Sequence, residues 1–504
     1  MCRNKTRIVT NVEQRGIDSA AEMQLERLLA ALAPKDVVGR APVELKDIAY
    51  DASAVAPGAL FFCVPGSRAD GHDFAADAVA RGAVALVVER PLEVAVPQLV
   101  VEDARRAMAI AAAEFFGHPT SELDVVGVTG TNGKTTTAYL LYAILGAAGR
   151  KPGLLGTVET RVGDERRPAV RTTAEAIDLQ RTFREQLDAG NRSCALEATS
   201  HGSELHRLDG VRFAALVFTN LTQEHLDLHG DMEAYFQAKR RLFTGIAPPP
   251  AAVNVGDPYG RQLAEELASA HRAPLVTFGL RPDADVRAAD LELGPHGSTF
   301  RASGIALRTH LPGVFNVENV LGAVAAALLL DIDEDAIAVG IGAVTGVAGR
   351  FEAIDEGQGY AVIVDYAHKP DALAAVLRAA RPLGDGRLTV VFGAGGDRDR
   401  SKRPEMGRVA RQLADLVIVT SDNPRSEDPL EIIGEVLQGT GTDVEVDPDR
   451  RTAIGTAIDR AEAGDVVVIA GKGHEQGQEI AGVVHPFDDR EVARAALRAS
   501  RKRA

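Results

Sequence analysis

Short apolar runs with the length of buried strands alternate along most of the chain with Ala- and Leu-rich stretches of helical period. Between residues 23 and 120 the runs ALFFCV, AVALVVE and QLVVED are separated by Ala-rich segments, which predicts a small α/β unit. It closes near the turn-rich GHPTSE, just before a stronger strand, LDVVGV. From there to about residue 345, strands such as SCALEA and AALVFTNL alternate with helices, the rhythm of a parallel sheet with crossover helices. GIAPPPA reads as an internal loop and the Gly-rich GAVTGVAGR as the next boundary. The last part repeats the βα pattern: YAVIVDYAH then PDALAAVLRAA, RLTVVFGAGG then a helix, ADLVIVT then DPLEIIGEVL, and DVVVIAG. The expected organisation is α/β in three domains, at 23–121, 122–348 and 349–504.

Composition narrows the possibilities. A chain of 504 residues exceeds what one core usually covers, and 45% hydrophobic with 25% charged residues is ordinary globular usage. The excess of 71 acidic over 56 basic residues, a formal charge of -15, opposes broad binding to a nucleic-acid backbone. Anionic small molecules need only a few local Arg and Lys and are compatible with it. Three widely spaced cysteines, Cys2, Cys63 and Cys194, form no CxxC and indicate neither a disulfide framework nor a cysteine zinc site. A reducing cytosol is expected. The start has no apolar run behind its basic residues and no uncharged stretch is long enough for a membrane span, so a soluble protein is expected. The basic ASRKRA end reads as a solvated helix terminus.

The strongest chemical signal is VVGVTGTNGKTTTAYLLYAI. An apolar strand runs into Gly130, Thr131, Asn132, Gly133, Lys134, Thr135 and Thr136, and a helix follows. Backbone N–H groups of such a loop and the helix N-terminus bind phosphate oxygens. Lys134 supplies a point charge and the Thr135 hydroxyl is suited to Mg²⁺. The spacing is tighter than GxxxxGK[ST], because Val128 stands where the first glycine would be. A nucleotide loop outweighs a mere strand–helix turn, which gives a central P-loop ATPase-like parallel sheet, while the repeated βα pattern of the last part gives a Rossmann-like C-terminal domain. In open α/β sheets ligands bind beyond the carboxyl ends of the strands, so GAGGDRDRSKR, SDNPR and GKGHE become candidate ligand loops. By its own chemistry, TSDNPRSEDP is only a strong turn former. Glu197 follows a strand, and His225 and His229 stand four apart. That is compatible with a metal site and equally with a hydrogen-bonded pair. Lys239 in YFQAKRRLF looks like part of a solvated basic face.

The compressed loop TGTNGKTT resembles the Mur ligases of peptidoglycan synthesis. So do RTTAEAIDLQ, EATSHGSELHRLDGV, FTNLTQEHLDLHGDMEAYFQAK, LPGVFNVENVLGA, GRFE, DYAHKPDAL, GAGGDRDRSKRPEMG, DNPR and GKGHEQGQ, in family order over nearly everything after residue 50. Folylpolyglutamate synthetases share the loop but give no reason for DNPR. The resemblance implies an ATP-dependent amide ligase working through an acyl phosphate. It implies that Glu197, His225 and Thr135 hold Mg²⁺ beside the γ-phosphate, with Lys239 converted by CO₂ to a carbamate that acts as a further ligand. Asn319, Arg350 and Asp365 are implied at the nucleotide, and His368 has a less definite place. Ser67 and Asp70 are implied at the uridine, and Thr172, Thr173, Thr199 and Arg207 at the muramoyl peptide. Asp51, Ala52 and Ser53 depart from the family's usual Asp-Ser-Arg, and Leu205 stands where some members have Gln. In the family DNPR goes with meso-diaminopimelate, so Asp422, Asn423, Pro424 and Arg425, with Arg398, Gly471 and Glu475, are implied at that amino acid. A guanidinium matches the carboxylate that diaminopimelate has and lysine lacks. The expected reaction adds meso-diaminopimelate to UDP-N-acetylmuramoyl-L-alanyl-D-glutamate, by a monomer with no nucleic-acid partner. A folylpolyglutamate synthetase-like ligase and a non-catalytic nucleotide-dependent binding protein are the alternatives.

Overall fold

The computed structural model describes residues 23–39, 43–66, 69–224, 226–294, 297–441 and 444–501. By internal contacts the chain forms two compact units. One takes it up to His118 together with Ala176–Arg181, and the other comprises Pro119–Glu175 and Thr182–Ala504.

Among the described residues of the first unit, five strands form a sheet in the order Asp36–Val38, Gln98–Val100, Ala83–Val88, Ala59–Phe62, Asp47–Ala49. All neighbours are parallel except the Asp36–Val38 edge. The apolar runs are continuous because both faces are covered. Leu60, Phe62, Ala85 and Val87 join one core with the helix Ala104–Phe115, while Phe61, Leu86 and Val88 point to the other.

In the second unit, a described sheet of eight strands has the order Glu165–Pro168, Glu159–Val162, Pro152–Leu155, Ser193–Glu197, Asp124–Thr129, Phe213–Phe218, Ala251–Asn254, Leu275–Phe278. Its last six are parallel, as the alternation with helices predicts. Val126 and Val128 pack on Leu140, Leu141 and Ile144 of the helix Lys134–Ala147. Each such burial contributes about 1.5–3 kcal/mol, so strand and helix are fixed on either side of the phosphate loop. The C-terminal sheet runs Glu352–Ala353, Ala361–Asp365, Val466–Ala470, Leu388–Phe392, Leu416–Val419, Glu445–Val446. Its strands are parallel apart from the Glu352–Ala353 edge. Val390 and Phe392 face one core and Val391 the other, again a sheet covered on both sides.

The α/β fold class with three domains holds. The rhythm of helix and strand missed three antiparallel insertions. These are the hairpin Glu159–Val162 with Glu165–Pro168, the strands Ala289–Gly294, Gly297–Ala302 and Ile305–Thr309, and the hairpin Gly477–Ile480 with Val483–Pro486. Among the described residues no helix is long and apolar enough to cross a membrane. Cys63 and Cys194 are buried free thiols.

Candidate active site

The strand Asp124–Thr129 delivers the chain into the loop, and Gly133, at φ +85°, is the N-cap residue of the helix Lys134–Ala147. A Cβ there would sit 2.2 Å from Asn319 Oδ1, so glycine is required by conformation and by space. Asn319 itself lies on the buried face of the helix Val314–Leu329 and donates to Asn316 Oδ1 at 3.0 Å. Lys134 Nζ donates to the carbonyls of Gly130 (2.9 Å) and Thr131 (2.7 Å), which folds the ammonium back over its own loop.

Beside it, Glu197 is the last residue of its strand rather than the residue after it, and is almost fully buried. Its carboxylate accepts from Thr135 Oγ1 (3.0 Å), Thr157 N (2.7 Å) and Thr157 Oγ1 (3.0 Å). Lys239 is 1% exposed, which overturns the solvated basic face. The helix Met232–Arg240 turns this side chain inward, where Nζ donates to Gly130 O at 3.0 Å and lies 4.6 Å from the Tyr235 ring centroid. Desolvation, then the Lys134 charge, push the Lys239 ammonium well below its ordinary range. Desolvation also lowers Lys134, against the pull of Glu224 and Glu197.

The C-terminal sheet contributes to the same cluster. Arg350 and Lys369 are close enough to depress Lys134 further, and Lys369 is ion-paired with Glu224. Arg350 lies 4.7 Å over the Tyr366 ring. Asp365, the last residue of its strand, accepts the N–H of Phe351 and Ala367, each at 2.7 Å. Desolvation raises this carboxyl, opposed by Arg350. Desolvation and the Lys402 charge push His368 down to about 4, so its ring is neutral at pH 7.

Three further loops meet at the carboxyl ends of the C-terminal strands; the Asn423 carbonyl accepts Gly396 N (2.9 Å) from one, and the Asn423 side chain ties its own loop to the other. Its Nδ2 donates to Glu475 Oε2 (2.8 Å), and its Oδ1 accepts from Lys472 Nζ (2.9 Å) and Glu479 N (3.0 Å). Arg425 has φ +52°, a costly region for a side-chain-bearing residue. It is held there by Arg425 N to Glu479 O (3.0 Å) and by Ala481 N to Arg425 O (2.6 Å). Its guanidinium donates to Gly396 O (2.6 Å) and lies 3.4 Å from Glu479. Gly471 is at φ +119°, and a Cβ on it would meet Asp422 Oδ2 at 2.4 Å.

Beneath these loops Arg450 and Asp489 form a wholly buried ion pair at 2.7 Å. Arg450 also donates to Ala470 O (2.9 Å) and Ser421 O (3.4 Å), so one guanidinium spans the starts of two loops. Arg450→Met strands a buried carboxylate and two carbonyls. It is expected to lower unfolding stability by about 3–5 kcal/mol, read from urea denaturation.

Comparison with known proteins agrees with this geometry. Residues 44–116 match the Mur ligase family catalytic domain, 128–327 the Mur ligase middle domain and 349–473 the Mur ligase glutamate ligase domain. A protein of Streptomyces coelicolor named UDP-N-acetylmuramoyl-L-alanyl-D-glutamate--2,6-diaminopimelate ligase is 47% identical over 90% of this chain and 93% of its own length. The chain belongs to the Mur ligase family. A Geobacillus thermodenitrificans protein of the same name is 46% identical over 95% of this chain and all of its own. A solved Mur ligase structure with that name superposes with TM-score 0.69 at 33% identity, covering 95% of this chain and 99% of its own.

Other expected Mur ligase positions vary in setting. Thr172 and Thr173 lie in a loop and not in a strand, against the packing alternative. Thr172 Oγ1 is 3.1 Å from Thr157 Oγ1, and Thr173 Oγ1 donates to Glu197 O (2.7 Å) and accepts from Thr199 Oγ1 (2.9 Å). Arg207 donates to Thr173 O (3.1 Å) and pairs with Glu175 (2.8 Å). Arg398 is exposed and donates to Asp397 O, as a member of a solvated charge run would. In the first unit Asp70 caps the turn Gly71–Phe74, and the His72 N–H, with Arg90, holds its carboxyl well below the usual range. Asp51 caps Ala52–Ala54 through Ser53 N and Oγ. Ser67 and His225 lie outside the described residues. Thr157, Glu224, Lys369, Arg450 and Lys472 were not singled out from sequence, although three of them sit inside the motifs quoted from TQEH, DYAHKP and GKGHE.

Proposed function

We propose that the chain is an ATP-dependent ligase that joins 2,6-diaminopimelate to UDP-N-acetylmuramoyl-L-alanyl-D-glutamate. The observation that carries this reading is the pairing, in one compact unit, of a phosphate loop closed by Lys134 with a strand-end loop that fixes Arg425. A folylpolyglutamate synthetase-like activity is the weaker alternative, because it gives Arg425 no carboxylate to read.

The glutamate carboxylate of the nucleotide dipeptide attacks the γ-phosphorus of ATP, giving an acyl phosphate and ADP. The amine of diaminopimelate then attacks the acyl carbon, phosphate leaves with the bonding pair, and an amide forms. Positioning and charge stabilisation are what such a reaction asks of a protein. Gly130, Thr131, Asn132, Gly133, Lys134, Thr135 and Thr136 bind the phosphates, with Lys134 placed at the transferring group. Asn319, Arg350 and Asp365 hold the rest of the nucleotide. Ser67, Asp70, Thr172, Thr173, Thr199 and Arg207 bind the nucleotide-sugar peptide. Asp422, Asn423, Pro424, Arg425, Arg398, Gly471 and Glu475 bind diaminopimelate, Arg425 taking its distal carboxylate. The corresponding domains span 23–121, 122–348 and 349–504.

Thr135 Oγ1 and the Glu197 carboxylate, 3.0 Å apart, are hard oxygen donors of the kind Mg²⁺ takes. Among the described residues no group of three or more His, Cys, Asp or Glu side chains could hold a metal ion. His225 and a carbamate on Lys239 would complete the set. Bound there, Mg²⁺ would neutralise charge on the phosphate oxygens. An ammonium cannot serve as a ligand, whereas a carbamate is in effect a long carboxylate. Intact-protein mass before and after exhaustive CO₂ removal is expected to show loss of one CO₂ from Lys239 together with loss of activity. Unchanged mass with full activity in CO₂-free buffer would remove Lys239 from the metal site.

We take the enzyme to act as a monomer in the cytosol, where the buried thiols of Cys63 and Cys194 stay free. The function is tested by incubating the protein with ATP, Mg²⁺, the nucleotide dipeptide and diaminopimelate. Mass spectrometry is expected to find one new amide per ADP formed.

A further inference from the structure

Lys472 lies in GKGHE immediately after Gly471, and its side chain is 0% exposed. A fully withdrawn ammonium needs acceptors, and the described residues give it two. These are Asn423 Oδ1 at 2.9 Å and Glu475 Oε2 at 2.9 Å. The same Glu475 oxygen also accepts Asn423 Nδ2 at 2.8 Å, so Lys472, Asn423 and Glu475 close a three-membered ring of hydrogen bonds. Asn423 in turn fixes the backbone of the hairpin that holds Arg425, through Glu479 N at 3.0 Å and Arg425 N to Glu479 O at 3.0 Å. Glu475 uses Oε2 for both inward bonds, and its side chain keeps 31% exposure. Among the described residues Oε1 has no hydrogen-bond partner.

We infer that Lys472 is a positioning residue for amino-acid selection. It pins one oxygen of Glu475, which leaves Oε1 as the acceptor for the distal ammonium of diaminopimelate. Through Asn423 it also sets the distance between that acceptor and the Arg425 guanidinium. The two readers of the distal end, one for its ammonium and one for its carboxylate, are thereby mounted on a single buried cation. This inference rests on the proposed diaminopimelate site. A buried charge network of this kind couples its members, so removing one misplaces the others instead of deleting a single contact.

The test compares parent, Lys472→Met and Lys472→Gln for KM and kcat with each of the three substrates, alongside urea unfolding. Lys472→Gln keeps a donor for Asn423 while removing the charge beside Glu475. Both variants are expected to raise the KM for diaminopimelate about 10- to 100-fold, the range of one charge-assisted hydrogen bond. KM for ATP and for the nucleotide dipeptide should stay within about twofold of the parent. A diaminopimelate KM equal to the parent's in either folded variant overturns the inference, as does a parallel rise in all three KM values, which is what general loosening produces. If Lys472→Met fails to fold, Lys472→Gln decides alone. If both fail, Lys472 is a stability residue and the inference falls. A parent that makes no amide from diaminopimelate would instead refute the functional reading.

Discussion

Lys134→Ala is expected to reduce ligase turnover by about 10³-fold or more while leaving the fold intact, because a preorganised cation at a transferring phosphoryl group supplies several kcal/mol to the transition state. In the structure the ammonium rests on two carbonyls of its own loop, Gly130 O and Thr131 O, at 2.9 and 2.7 Å. It is therefore already placed where a phosphate would arrive, and the loop spends little ordering it. Desolvation disfavours the charged form there, and an incoming polyphosphate relieves that penalty. Lys134 is not part of a hydrophobic core, so its removal should leave the urea transition within about 1 kcal/mol of the parent. Single-turnover ADP formation at saturating ATP separates the chemical step from binding. Retention of more than a tenth of the parent rate would remove Lys134 from phosphoryl transfer.

Arg425→Ala is expected to lower kcat/KM for meso-diaminopimelate by about 10²-fold or more, since truncating one partner of a desolvated charge pair costs about 2–5 kcal/mol. KM for ATP and for the nucleotide dipeptide should be unchanged. The backbone adds little to the difference. Arg425 sits at φ +52°, and alanine bears the same left-handed penalty as arginine. The hairpin bonds Arg425 N to Glu479 O and Ala481 N to Arg425 O do not involve the side chain and persist in the variant. What disappears is the guanidinium that spans Gly396 O and Glu479. Equal losses for all three substrates would mean that the loop had collapsed.

The parallel sheets were legible because their strands are covered on both sides and appear as unbroken apolar runs. Phe61 and Phe62, or Val390 and Val391, send alternate side chains to different cores without interrupting the pattern. The antiparallel insertion Ala289–Thr309 was missed although Phe300, Ala302, Ile305 and Leu307 alternate with exposed positions. That period-2 signal is short and sits inside a helix-rich stretch. Phosphate-loop chemistry is local in sequence and could be read there. Lys239 could not be, because a lysine among basic neighbours looks solvated until the fold turns it under Gly130. Arg450 and Lys472 were invisible for the same reason: what marks them is burial, and burial of a charge is set by residues distant in the chain. Arg425 was the intermediate case. Its turn was readable from Asp422, Asn423 and Pro424, but the strand-like pairing with Glu479 and Ala481 that holds it depends on the unforeseen hairpin.

Arg425 is proposed to read the distal carboxylate of the incoming amino acid. The most direct measurement is ADP release by the parent enzyme with the nucleotide dipeptide and either meso-diaminopimelate or L-lysine as acceptor. A kcat/KM ratio of about 10² or more in favour of meso-diaminopimelate is predicted, the discrimination a half-buried guanidinium gives when the carboxylate it is built to bind is missing. Equal use of the two acceptors, or preference for lysine, would contradict it.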